Sequence, residues 1–221
     1  MLTVATGGFG ADHEAVAMAA KALADGSVVA IPTDTVYGLA VDPTQPDALR
    51  RLFALKMRPT DVPLPLLVAG WEQVASVAGR LETAARRLAD RFWPGPLTLV
   101  VPRRAGFVAD LGGPPVSGQT VGLRWPDQLL VQALCHTLGP LAVTSANLHG
   151  APPATTAQGV AQAFAGAEAL AVIVDGGACT GTPSTVVECR GPTSRCLREG
   201  AIPWGKTLEH PRSGPVAGAT G

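Results

Sequence analysis

The chain has 221 residues, of which 47% are hydrophobic and 15% charged, with Lys plus Arg and Asp plus Glu balanced at 17 each. That length and apolar content support one substantial core and exclude a disordered chain, while zero net charge argues against a broad nucleic-acid surface, because neutralising phosphates calls for a basic excess. No apolar run reaches the roughly 18 residues that cross a bilayer, and Asp12, His13 and Glu14 stand where a signal peptide would be basic and then apolar, so a cytoplasmic protein is expected.

In chain order, residues 12–24 predict a helix with Asp12 as N-cap, Val16, Ala20 and Leu23 on one face, and Gly26 as its stop. Residues 27–31 are a short apolar strand ending at Pro32. A second helix spans 46–56, with Leu49, Leu52 and Phe53 in line and Pro59 just beyond. Residues 64–68 read as a buried strand in which Pro65 argues for an edge or irregular start. Helices over 72–77 and 81–92 follow, the second stopped by Trp93-Pro94-Gly95-Pro96. Strands at 97–101 and 120–123, a helix at 127–138, a strand at 141–144, a helix at 156–164 and strands at 170–174, 184–188 and 195–197 complete the pattern. Such interleaving predicts an α/β fold over 8–204, a twisted mixed β-sheet flanked by helices, with 205–221 as a flexible tail.

Four stretches hold polar residues that a plain α/β core does not need. Pro32-Thr33-Asp34-Thr35-Val36-Tyr37-Gly38-Leu39 follows the first strand, where hydroxyls and an acid either hold a small polar ligand or close a hydrogen-bonded turn. In Lys56-Met57-Arg58-Pro59, the proline pushes Arg58 toward extended geometry, which would aim both cations at one anion such as a triphosphate. The alternative is a helix end with cations placed for the dipole. Arg124 ends Thr120-Val121-Gly122-Leu123-Arg124, either gripping a carboxylate or lying along the surface past Trp125. Ser145-Ala146-Asn147 follows a buried strand, as phosphate donors or as a turn.

Absences narrow the chemistry. There is no Gly-x-x-x-x-Gly-Lys-Ser/Thr loop, no Gly-x-Gly-x-x-Gly, no Gly-x-Ser-x-Gly elbow and no His-Glu-x-x-His. Cys135, Cys179, Cys189 and Cys196 lack ligand spacing, and His13, His136, His149 and His210 are scattered, so zinc, haem and flavin are not expected. Any reaction would run on positioning and electrostatics.

In order and spacing, the 32–39 stretch, Lys56-x-Arg58-Pro59, 120–124, Ser145-Ala146-Asn147, Ser184-Thr185-Val186-Val187 and Arg198-x-Gly200 resemble the YrdC/TsaC family of threonylcarbamoyl-AMP synthases. The resemblance implies a concave ligand-binding groove. It also implies synthesis of threonylcarbamoyl-AMP and pyrophosphate from L-threonine, bicarbonate or CO2 and ATP, with Mg2+. The product would feed modification of tRNA beside the anticodon by separate TsaD/TsaB/TsaE-like proteins, with at most weak tRNA binding by this chain. Carried over by motif, Lys56 and Arg58 would be the catalytic pair. They would hold ATP with Thr120, Ser145, Asn147 and Arg198, as solvent-accessible cations at a pocket rim. Thr35, Arg124, Val143 and Ser184 would frame threonine. Val62 and Leu67 stand where the family often has Asn and His. The competing readings are an RNA-binding or ribosome-maturation factor, a carbamoyl-adenylate-type carbamoyltransferase, and a binding module without activity.

Overall fold

Apolar runs alternating with amphipathic segments resolve into ten strands and six helices among the described residues. In chain order these are β1 (Leu2–Ala5), α1 (His13–Ala24), β2 (Val28–Ile31), β3 (Gly38–Val41), α2 (Pro46–Lys56), β4 (Leu66–Leu67), α3 (Trp71–Ala78) and α4 (Thr83–Phe92). Then follow β5 (Leu97–Pro102), β6 (Thr120–Arg124), α5 (Leu129–Leu138), β7 (Leu141–Ser145), α6 (Ala157–Ala163), β8 (Leu170–Asp175), β9 (Thr185–Arg190) and β10 (Thr193–Arg198). The computed structural model describes residues 1–6, 12–57, 61–113, 120–148 and 150–205. The expected tail beyond 205, and Arg58, lie outside the described residues.

All ten strands join one mixed sheet in the order β1-β8-β2-β3-β7-β4-β6-β5-β9-β10. β2 shows why helices must cover both faces: its four residues are all buried, and successive side chains point to opposite sides. Val29 and Ile31 join Ala40, Val172 and Val174 under α1 and α5 through Ala19, Leu23, Leu130 and Leu134. Val28 and Ala30 instead join Leu39, Val41, Leu99 and Leu123, packed by Leu49 and Leu52 of α2, Leu88 of α4 and Val160 of α6. No helix among the described residues is long and apolar enough to cross a membrane.

The local signals mostly hold. Asp12 caps α1 by accepting from the Glu14 N–H at 2.9 Å, and α2 begins at Pro46, which needs no intrahelical donor. α5 starts at Leu129, later than expected, and Gln128 caps it, accepting from the Leu130 N–H at 2.8 Å. Two strands have no counterpart in the sequence reading. β1 pairs in parallel with β8 and carries the sheet N-terminal of residue 8, where that reading starts the domain. β3 pairs with both β2 and β7, and its Gly-Leu-Ala-Val run is too short and too small to announce a strand.

Burial also sets the chemistry of the thiols, pushing Cys135 up to about 12 and Cys189 up to about 11 from the ordinary 9.0. Because the folded values are raised, the stabilisation from keeping these thiols neutral is complete below about pH 9. It is lost as pH rises through the folded values. The thermal midpoint should therefore fall steadily between about pH 9 and about 12; a midpoint flat over that window would show that the thiols ionise as freely in the fold as in the unfolded chain.

Candidate active site

Strand ends from distant parts of the chain meet around a cavity of about 190 Å³ whose wall includes Thr35, Arg124, Val143, Ser145, Ser184 and Arg198. The pairing explains the convergence. Gly38 lies opposite Ser145 where β3 runs antiparallel to β7, and Leu67 lies beside Arg124 where β4 runs parallel to β6. Two glycines permit the close approach. A Cβ on Gly38 would stand 2.6 Å from Val143 Cγ1, so any larger residue would displace Val143, which is on the cavity wall. A Cβ on Gly200 would stand 2.2 Å from the Pro183 carbonyl oxygen, so only glycine lets the chain after β10 cross the backbone at Ser184.

Arg124 is 7% exposed. Its guanidinium donates from Nε to the Gly95 carbonyl at 3.2 Å, from Nη1 to Thr35 Oγ1 at 2.9 Å and from Nη2 to Asp34 Oδ1 at 2.5 Å. Burial pulls its proton affinity down, and the neighbouring Asp34 carboxylate works against that pull. A guanidinium in a protein keeps its proton through such opposition. The Asp34–Arg124 pair is therefore a buried ion pair, unlike the exposed pairs of α1 and α4.

The hydroxyls beside Arg124 are ordered. Thr33 Oγ1 donates to the Val36 carbonyl at 2.6 Å and accepts from the N–H groups of Thr35 and Val36. Its one proton is thereby used, so in the 2.9 Å contact between the two hydroxyls Thr35 is the donor. Across the cavity, Ser184 Oγ lies 2.9 Å from Thr98 Oγ1, and Arg198 Nη2 donates to the Ser184 carbonyl at 2.8 Å. Burial also lowers the proton affinity of Arg198.

Lys56 departs from expectation. It is 3% exposed rather than a rim cation. Lys56 is the last residue of α2, and Met57 caps the helix in the left-handed conformation with φ 49°. From there Nζ donates to the Ser145 carbonyl at 2.6 Å and to Asn147 Oδ1 at 2.8 Å, with the Asn147 carbonyl at 3.0 Å and Ser145 Oγ at 3.3 Å. Ser145 Oγ donates to Asn147 Oδ1 at 2.6 Å, and Asn147 Nδ2 donates to the Leu148 and Ala151 carbonyls. Lys56 thus ties down the loop after β7, and its charge lies beneath that loop.

Of the expected ATP set, Ser145 and Arg198 line the cavity, while Lys56 and Asn147 adjoin it through Ser145. Thr120 is at the opposite end of β6 from Arg124, about 13 Å away along the strand, and is not on the cavity wall. Arg58 lies outside the described residues. All four expected threonine residues are on the wall, and so is Leu67; Val62 is exposed. The sequence reading left out Thr98, whose signal is a lone hydroxyl in an otherwise apolar strand, and took Asp34 as part of a ligand-holding stretch or a turn, without its pairing to Arg124. A more open cleft of about 930 Å³ lies by α3 and α4, where the Arg86 guanidinium covers Trp71 at 4.0 Å. Its arginines, Arg80, Arg86 and Arg87, are exposed on the surface, whereas the smaller cavity has buried polar groups converging on one point, the better mark of a ligand site. Among the described residues, no three His, Cys, Asp or Glu side chains converge to hold a metal ion.

The profile of the Sua5/YciO/YrdC family, described as Telomere recombination, matches residues 21–200. The threonylcarbamoyl-AMP synthase of Bacillus subtilis is 40% identical over 191 residues, covering 85% of this chain and 54% of that protein. The threonylcarbamoyl-AMP synthase of Vibrio parahaemolyticus is 36% identical over 185 residues, covering 81% of this chain and 96% of that protein. The crystal structure of P. abyssi Sua5 complexed with L-threonine superimposes with a TM-score of 0.82 at 34% identity, over 94% of this chain and 60% of that one. The chain spans about half the length of the Bacillus relative. With a profile match over most of its length and relatives alike in both sequence and shape, the chain belongs to the Sua5/YciO/YrdC family.

Proposed function

We propose that this chain is a threonylcarbamoyl-AMP synthase, joining L-threonine, bicarbonate or CO2 and ATP into threonylcarbamoyl-AMP with release of pyrophosphate. The observation that carries the reading is the cavity that brings Thr35, Arg124, Val143 and Ser184 together with Ser145 and Arg198. The synthase names of the relatives and the L-threonine held by P. abyssi Sua5 support it.

In this reading the Arg124 guanidinium takes the threonine carboxylate, with Thr35, Val143 and Ser184 framing the rest of the amino acid. Arg198, Ser145, Asn147, Thr120 and Arg58 meet ATP. Lys56 contributes a fixed positive charge beneath the loop, and since its three N–H groups serve at least four oxygens, a phosphate oxygen can replace one of them. The protein's work is to neutralise phosphate charge and to hold a carbamate oxygen near the α-phosphorus in a site poor in water. Magnesium would arrive with the triphosphate, which together with water supplies most of its ligands in such complexes. The adenylate then passes to a separate tRNA-modifying transferase of TsaD/TsaB/TsaE type, a division of labour that suits a chain of zero net charge. A cytoplasmic location goes with this reading.

The direct test is pyrophosphate release from ATP and bicarbonate, with L-threonine, with L-serine and with neither. Release that depends on threonine is expected, and release indifferent to the amino acid would remove the synthase reading. Arg124→Lys keeps the charge and loses the fork, and should raise the KM for threonine at least about tenfold, as loss of one charged hydrogen bond implies. The ATP requirement should change little, and equal effects on both substrates would remove the carboxylate role. Lys56→Met should reduce pyrophosphate release at least about a hundredfold and also lower the thermal midpoint by about 5–10 °C, because it leaves several buried oxygens without their donor. Lost activity with an unchanged midpoint would restore Lys56 to a rim position.

A further inference from the structure

The 32–39 stretch carries one side chain that the proposed chemistry does not use. Asp34 Oδ1 accepts from Arg124 Nη2, yet its second oxygen, Oδ2, is buried and without a partner among the described residues. Arginine–carboxylate pairs are frequently bidentate, with both oxygens against two N–H groups of the fork. Arg124 instead spreads its donors over three acceptors, Gly95, Thr35 and Asp34, which leaves two of its five N–H groups without an acceptor among the described residues. Arg198 acts on the same guanidinium as a like charge, and Asp34 is the opposing one. With Asp34 removed, Arg124 would keep the repulsion and lose the contact that fixes its plane.

The same arrangement sets the direction of a buried hydrogen-bond chain. Arg124 donates to Thr35, Thr35 to Thr33, and Thr33 to the Val36 carbonyl. The Thr35 hydroxyl therefore has no proton left for a ligand and keeps one lone pair. A group bound beside it must donate, as an ammonium does.

We propose that Asp34 is a positioning residue for capture of the amino acid: its carboxylate holds the Arg124 guanidinium so that the remaining N–H groups meet the substrate carboxylate, and so that Thr35 is presented as an acceptor to the substrate ammonium. This rests on the synthase reading for the identity of the amino acid. The Asp34–Arg124–Thr35 unit thus matches a zwitterion, with donors for its carboxylate and an acceptor for its ammonium. Neither Asp34 nor Thr33 needs to touch the substrate.

Steady-state kinetics and equilibrium titration with L-threonine, on the full chain, test the proposal. Asp34→Ala should raise the threonine KM and dissociation constant at least about tenfold while kcat and the ATP KM shift less than about threefold. Asp34→Asn keeps an oxygen for Nη2 without the charge, so it should fall between Asp34→Ala and the wild type, and it serves if the alanine variant does not fold. For the acceptor role, 3-hydroxybutyrate keeps the carboxylate and hydroxyl of threonine but has no amine. The wild type should bind it at least about tenfold more weakly than L-threonine, and Thr35→Val should lose most of that difference. An unchanged threonine KM in a folded Asp34 variant, or a parallel rise for threonine and ATP, overturns the positioning role; equal wild-type binding of the two ligands overturns the acceptor role. A wild type that binds L-threonine but releases no pyrophosphate would sink the synthase reading alone, and the affinity order of the variants would still decide the proposal. A wild type that binds no L-threonine overturns both.

Discussion

A permanently charged guanidinium withdrawn from water must have its charge answered within the fold, and the site is arranged around that requirement at Arg124. The residue ends β6, so its backbone is held by the sheet while its side chain reaches toward the 32–39 stretch and the Gly95 carbonyl. Leaving such a charge without its partner costs about 3–5 kcal/mol, and Asp34 and Thr35 are the side chains that answer it. Thr35 is held in turn through Thr33, whose hydroxyl also accepts N–H groups of the same turn.

A second anchored cation organises the neighbouring half of the site. Lys56 ties the C-terminal end of α2 to the loop after β7, two elements that the sheet alone does not connect. β7 is shared between the halves: Val143 and Ser145 both line the cavity, and Ser145 also meets Lys56. In the proposed reaction two anionic reactants would be brought close enough to repel one another, and two cations fixed before either arrives would offset that repulsion.

Much of this was legible in the residues. The bounds of α2 follow from Pro46 at its start and Pro59 past its end, and the strands β5, β7 and β8 follow from their apolar runs. The motif residues that converge on the cavity are polar groups placed at strand ends, where a core has no use for them. What escaped the sequence depends on partners distant in the chain. β3 is a strand because β2 and β7 flank it, a fact absent from Gly38-Leu39-Ala40-Val41 itself. Lys56 is buried against Ser145 and Asn147, partners far along the chain, and Met57 beside it takes the left-handed region, an uncommon conformation for a non-glycine residue that no residue pattern announces. Asp34 reads as a turn former, and only the placement of Arg124, ninety residues later, makes it half of an ion pair.

The strand order has a consequence for how this protein comes into being. The cavity wall draws on residues from Thr33 to Arg198, and β7, β4, β6, β5 and β9 must stand side by side before those residues meet. Several of these neighbours are far apart in sequence, and closing such long loops slows folding, since the entropy is lost before the contacts form. The pocket is therefore completed only when these strands have paired, and a piece that lacks either end of the span from Thr33 to Arg198 lacks part of the wall. A ligand that binds there recognises only the finished molecule, so its concentration in the cell bears on how much of the newly made chain is retained in folded form.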